Sequence, residues 1–446
     1  MPRGLPDHVE TIHLMAICGT GMGAFAGLLQ SAGYRVRGSD AGVYPPMSTQ
    51  LESEGIVLME GFGAQNLDPP PDLVVVGNAI SSPNAEAVAM RDQDLHYASF
   101  PETLGALFLS RRHPYVVTGT HGKTTTCSIL AWCLTALGTD PGFLVGGVLE
   151  NFGRNYRVGA DGAPFVVEGD EYDTAYFDKV PKFVHYRPKS AIITSVEFDH
   201  ADIYRDLEHV RQAFRAFVAL LPADGMLLAC ADGAEVPPIA DLSASPVRYY
   251  STQGDPRATW TGSVVEAGPQ GMTFDVQRSG EDFGRFTCML VGEHNLANLL
   301  AVVGLLAERG FEAGPIAEAL AGYEGVKRRQ TVFAEPRGIT LIDDFAHHPT
   351  AVKATIEATR LRFGTDRRMW TVFEPRTNTT RRNVFQDDYG RAFAGTDQLL
   401  VAPVHLPEKA PDGERFDPER LASDVRSHGT AARLTSGVDE IVSILA

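Results

Sequence analysis

The chain has little cysteine, little positive charge and no long apolar run. Its five cysteines (Cys18, Cys127, Cys133, Cys230, Cys288) are scattered over 446 residues with no CxxC pair. That excludes a disulfide frame and a cysteine-based zinc site, and reads as reduced thiols in a cytoplasm. There are 39 Lys+Arg against 56 Asp+Glu, a net charge of −17. This argues against a nucleic-acid or anionic-membrane surface, but not against small anionic substrates, which need only a local positive site. No segment is apolar enough to span a bilayer. Residues 12–32 have the length of a signal peptide, yet their centre, Gly19-Thr20-Gly21-Met22-Gly23, reads as a βα turn. There is no repeat, no low-complexity tract and no sign of an obligate protein partner.

What is present is an alternation of apolar runs and helical patterns, too long for one ordinary core. The patterning predicts strands at 12–17, 35–40, 73–77, 165–168, 191–196, 340–343, 369–373 and 398–401. It predicts helices at 23–32, 207–221, 294–309 and from 316. Between 241 and 290 the texture changes to short strands with Gly, Pro and Ser turns. The expected architecture is three α/β domains on mostly parallel sheets, spanning 1–112, 113–325 and 326–446.

The most informative stretch is Val116-Val117-Thr118-Gly119-Thr120-His121-Gly122-Lys123-Thr124-Thr125. A buried-type strand enters a glycine turn closed by Gly-Lys-Thr, which reads as a phosphate-binding loop. The glycines free backbone N–H groups for phosphate, Lys123 supplies charge, and the Thr124 hydroxyl suits Mg²⁺. A helix through 127–134 adds its positive end. Two residues separate the glycines instead of the usual four. Gly19-x-Gly21-x-x-Ala24, with Asp40 ending the next strand, outlines a diphosphate-binding turn, for a dinucleotide or a UDP-sugar.

Four more segments follow strands and belong at a sheet's carboxyl edge. Glu168-Gly169-Asp170-Glu171 suits Mg²⁺, with Glu168 the first candidate. Glu197-Phe198-Asp199-His200 offers a second metal position at His200. Asp343-Asp344 with His347-His348, and Glu374-Pro375-Arg376, do the same in the last third. Arg376 suits a bidentate carboxylate. Asn295 or Asn298, at a helix start, could read an adenine edge. In Lys327-Arg328-Arg329, an arginine is placed to clamp a transferring phosphoryl group.

Together these residues resemble the Mur ligase family, the ATP-dependent ligases of peptidoglycan synthesis, over nearly the whole chain. The resemblance rests on Gly119 to Thr125, Glu168, His200, His294-Asn295-x-x-Asn298 and Asp343-Asp344. It implies an N-terminal UDP-binding Rossmann-like domain, a central ATPase domain and a C-terminal Rossmann-like domain. It also implies ATP with two Mg²⁺ ions, for which Mn²⁺ substitutes, and small-molecule substrates. Thr124, Glu168 and His200 are then the metal ligands, and Lys123, Glu168, His200 and Arg328 the catalytic set. ATP contacts are implied for Gly119, Thr120, His121, Gly122, Lys123, Thr124, Thr125, Asn295, Asn298, Arg328 and Asp344. UDP-sugar contacts are implied for Gly19, Thr20, Gly21, Met22, Asp40, Asn78, His121 and Asn151, and acceptor contacts for Arg376 and His348. Glu197 and His348 are the candidates for deprotonating the acceptor amine.

Four segments, at 168–179, 183–188, 196–204 and 373–379, are similar to the branch that joins a murein tripeptide, rather than free L-alanine, to UDP-N-acetylmuramate. No lysine occurs between Lys189 and Lys327, so the carbamylated lysine of several other branches is absent.

Overall fold

The computed structural model describes residues 4–446. The first parallel sheet runs Val57–Glu60, Arg35–Asp40, Thr11–Met15, Leu73–Val76, Tyr97–Ser99. Leu73-Val74-Val75-Val76 is buried throughout, as a parallel strand covered on both faces must be. The Thr20–Ser31 helix follows the first strand directly, so Gly19, Asp40 and Asn78 share one carboxyl edge. A polar network is buried in this unit. His13 bonds Glu86 at 2.6 Å, and Ser39 and Asn66 donate to the same carboxylate at 2.6 and 2.7 Å. Burial pushes the Glu86 carboxyl up, but these bonds and the His13 imidazole outweigh it and hold the group below its ordinary value.

The central sheet has ten strands. His113–Thr118 lies between Pro164–Gly169 and Ser190–Ile193, parallel to both, with Thr118 opposite Gly169 and Ile193. That register brings the phosphate loop, the 168–171 turn and the 194–200 segment out side by side. The strands expected to be short are long hairpins: Trp260–Gly268, Gly271–Arg278 and Glu281–Cys288 close one edge antiparallel. Exposed Val264 and Val265 and register shifts at Val264/Glu266 and Val276/Gln277 break the alternation in the sequence.

The third unit holds a parallel sheet of Trp370–Phe373, Gln398–Val401 and Ala431–Leu434. Leu341–Asp343 does not join it; this strand pairs antiparallel with Thr331–Ala334 in a separate ribbon. It is only partly buried, and its hairpin partner is close in sequence. His348 caps the Pro349–Phe363 helix, its Nδ1 accepting from the Thr350 N–H at 3.2 Å. No helix of the described residues is long and apolar enough to cross a membrane.

Candidate active site

The loop between strand and helix is built on two left-handed glycines, Gly119 (φ 137°) and Gly122 (φ 80°). A Cβ on Gly119 would sit 2.1 Å from Thr194 Oγ1 and 2.8 Å from the Ser195 N, and one on Gly122 2.4 Å from Asn298 Oδ1. Neither space nor backbone admits a side chain. Gly122 caps the Lys123–Ala136 helix, which therefore begins earlier than 127, at the lysine itself. The loop is bonded to the neighbouring strand end: Thr120 N–H to Ser195 O at 3.0 Å and His121 N–H to Ser195 Oγ at 3.0 Å.

Lys123 Nζ donates to both Glu171 oxygens, at 3.1 and 2.9 Å, and to Gly119 O at 2.6 Å. His200 Nε2 lies 3.2 Å from Glu171 Oε1. Glu171 is 3 % exposed and Lys123 15 %. Burial alone would lower His200, but its hydrogen bond to Glu171 and the neighbouring negative charge raise it. Burial would raise Glu171, and Lys123 and His200 overcome that and lower it. Glu171 is the centre of this cluster, yet only its place in the acidic run hinted at it.

Thr124 Oγ1 donates to Glu168 Oε2 at 3.1 Å, and the Gly146 N–H to Oε1 at 2.5 Å. Burial leaves Glu168 with a raised pKa despite these donors. A hydroxyl and an under-compensated carboxylate are hard oxygen donors, and this set fits Mg²⁺. The arginine that reaches them is Arg329, 3.4 Å from Thr124 Oγ1, rather than Arg328. Arg328 is 62 % exposed, faces Asp343 at 3.4 Å and stacks over Phe345. Arg329 lies over the same Phe345 ring, at 5.3 Å, and the left-handed backbone of Arg328 (φ 64°) marks the turn between the two units.

Several other expected contacts have their polar atoms engaged within the protein. Asn298 accepts from Thr126 Oγ1 at 3.1 Å and donates to Asn295 Oδ1 at 3.3 Å, and Asn295 donates to Val291 O at 2.9 Å. They fasten their helix to the phosphate-loop helix, and present no free adenine-reading edge in this arrangement. Asp344 accepts from the Gln330 and Ala346 N–H groups at 2.8 and 2.7 Å, which organises the turn after Arg329. Thr125 is buried in the first helical turn. Asn151 donates to Gly322 O at 2.8 Å and accepts from the Glu324 N–H at 2.9 Å, so its amide joins two loops of the central unit. At the first sheet's edge Gly19, Thr20, Gly21 and Asn78 are exposed, while the Met22 side chain lies in the core. Asp40 accepts from the Cys18 and Gly42 N–H groups at 2.9 and 3.1 Å, bracing the turn.

The third unit meets the carboxyl edge of the central sheet directly. His121 and His348 rings are 4.7 Å apart, and Thr350 Oγ1 donates to Glu197 Oε2 at 2.9 Å. Because His348 Nδ1 accepts from Thr350, its Nε2 carries the proton and donates to Phe198 O at 3.3 Å. Burial lowers His348 to about 4. Burial would raise Glu197, but the facing His121 imidazole, the Thr350 hydroxyl and His348 take it down to about 2. In this arrangement the His348 Nδ1 lone pair accepts the Thr350 N–H, and the lowered Glu197 carboxylate is a weak base. Asn378 donates to Asp202 Oδ2 at 2.9 Å and Arg382 to Ala201 O at 3.2 Å. Arg376 follows its strand as expected, 64 % exposed and 3.5 Å from Glu374.

A phosphate loop faced by carboxylates and an imidazole, with α/β units on either side, is the arrangement of a nucleotide-dependent phosphoryl-transfer enzyme. Residues 11–112 match the Mur ligase family catalytic domain, 117–306 the Mur ligase middle domain and 328–446 the Mur ligase glutamate ligase domain. The chain belongs to the Mur ligase family, enzymes that form amide bonds at the expense of ATP. It is 38 % identical over 398 residues (89 % of this chain, 86 % of the relative) to the UDP-N-acetylmuramate–L-alanyl-γ-D-glutamyl-meso-2,6-diaminoheptandioate ligase of Escherichia coli K12. The murein peptide ligase of Psychrobacter arcticus 273-4 superposes with a TM-score of 0.73 at 32 % identity, covering 98 % of this chain and 92 % of that one. The UDP-N-acetylmuramate–alanine ligase MurC of Thermotoga maritima gives 0.80 at 25 % identity, covering 98 % and 93 %.

Proposed function

We propose that this chain joins UDP-N-acetylmuramate to L-alanyl-γ-D-glutamyl-meso-diaminopimelate, in cytoplasmic murein recycling. The observation that carries the reading is the 38 % identity to a ligase of that name across 89 % of the chain. The domains assigned are 1–112 for the UDP-sugar, 113–325 for ATP and 326–446 for the acceptor. Each encloses its own sheet system.

In the first step a lactyl carboxylate oxygen attacks the ATP γ-phosphorus and ADP leaves. In the second the acceptor amine attacks the acyl phosphate, giving the amide and inorganic phosphate. Lys123, released from Glu171, and Arg329 meet the charge on the transferring group. Thr124 and Glu168 would hold one Mg²⁺, and His200 with Glu171 a second, with Mn²⁺ able to replace them; when bound they would supply positive charge against the phosphate oxygens. His200 must give up its bond to Glu171 to become a ligand. The 348–350 and 378–382 segments, already seated against 197–202, exclude water from the acyl phosphate.

The TM-score of 0.80 favours the alanine ligase as the second reading. Backbone arrangement does not report acceptor chemistry, so the test is direct. Phosphate release is measured with ATP and UDP-N-acetylmuramate, adding tripeptide or L-alanine. Turnover with tripeptide and not with L-alanine is expected; the reverse replaces the reading.

A further inference from the structure

One cluster at the seam between the central and third units is used by none of the steps above. One ligand atom from each of His121, Glu197 and His348 lies within 4.8 Å of the other two. His121 Nε2 is 3.4 Å from Glu197 Oε2, and His348 Nδ1 is 3.9 Å from the same oxygen. Tetrahedral bonds of about 2.1 Å put ligand atoms about 3.4 Å apart. The first pair already has that spacing and the second needs a contraction of about half an ångström. His121 Nε2 is buried and makes no hydrogen bond among the described residues. His348 donates its far nitrogen to Phe198 O, which leaves Nδ1 with the lone pair, and Thr350 steadies Glu197. Ligating imidazoles and carboxylates are commonly oriented in this way.

We propose that His121, Glu197 and His348 bind one divalent transition cation of the zinc or cobalt class. Two imidazoles and one carboxylate select such ions over Mg²⁺, which prefers oxygen donors. The ion takes the Nδ1 lone pair that now caps the Pro349–Phe363 helix, exchanging one hydrogen bond for a coordinate bond. A fourth position stays open, and the bound ion ties the phosphate loop to the third unit.

The test is a CoCl₂ titration of the chelator-stripped full chain in saturating Mg²⁺, followed by visible d–d absorption. Bands that saturate at one equivalent and disappear on adding Zn²⁺ are expected. Glu197→Gln and His348→Gln should each weaken Co²⁺ binding by at least about tenfold. His200→Gln, at the other imidazole of the site, should leave the bands unchanged. Circular dichroism establishes that each variant is folded, and Thr350→Val gives a milder loss that leaves all three ligands in place. Absence of bands in the parent protein overturns the assignment. So does their survival in both ligand variants, or their loss in His200→Gln.

Discussion

Lys123→Met separates what the phosphate-loop lysine does for the fold from what it does for the reaction. In the resting protein its ammonium neutralises Glu171, which is 3 % exposed. Removing one partner of a buried ion pair costs about 3–5 kcal/mol, because the other charge stays behind without compensation. His200 remains 3.2 Å from Glu171, so the low end, about 3 kcal/mol, is expected. Replacing both charges with neutral groups is close to neutral. Lys123→Met/Glu171→Gln should therefore recover most of the lost stability. Turnover should not follow. Loss of a contact aimed at transferring charge costs about 2.7–4 kcal/mol, roughly a hundred- to thousandfold in kcat, and the double variant still lacks it. Urea unfolding gives the stabilities, phosphate release at saturating substrates gives kcat, and calorimetry should find UDP-N-acetylmuramate binding intact. If the single variant is as stable as the parent, the pair is not a buried one. If the double variant regains turnover, the lysine acts through the fold and the phosphate-contact argument fails.

Arg329→Ala should lower kcat by about a hundredfold, while Arg328→Ala changes stability and kcat little, as exposed pairs contribute about 0–1 kcal/mol; equal effects in steady-state assays would count against the assignment to Arg329. Arg376→Lys should raise KM for tripeptide alone, since lysine lacks the planar fork; a defect confined to ATP or UDP-sugar would move Arg376 to another subsite. The lowered Glu86 carboxyl contributes stability that is present above the ordinary value of about 4.3 and is lost as pH falls through the lower folded value. Urea midpoints should therefore drop from pH 5 to pH 3, and Glu86→Gln should flatten part of that limb while lowering stability at pH 7. An unchanged acid limb would remove this pair from the account.

Much of this molecule was legible because strand and loop signals are local. Val116 to Thr125 specifies strand, turn and helix within ten consecutive positions, and neighbouring apolar runs indicated which acidic segments end at the same edge. What was not legible depends on direction inside irregular loops, where no periodicity constrains a side chain. Glu171 rather than its neighbours faces Lys123, and Arg329 rather than Arg328 faces Thr124. Asn151 and Asn298 carry the right chemistry for a ligand, but bond to residues more than a hundred positions away. The antiparallel pairing of Leu341–Asp343 is equally invisible, since three apolar-leaning residues serve either sheet.

The stitching at the seam bears on how such enzymes can be recombined. A chimera that takes its last third from a relative, joined at the boundary near 325, keeps every strand intact. It nevertheless cuts across Asn378 to Asp202, Arg382 to Ala201, His348 to Phe198 and Thr350 to Glu197. All four central partners lie within 197–202, the segment that also carries His200. The transplantable cassette is therefore discontinuous. It consists of the third unit together with this hexapeptide, and grafts that move one without the other should misplace the His200 imidazole even when both halves fold.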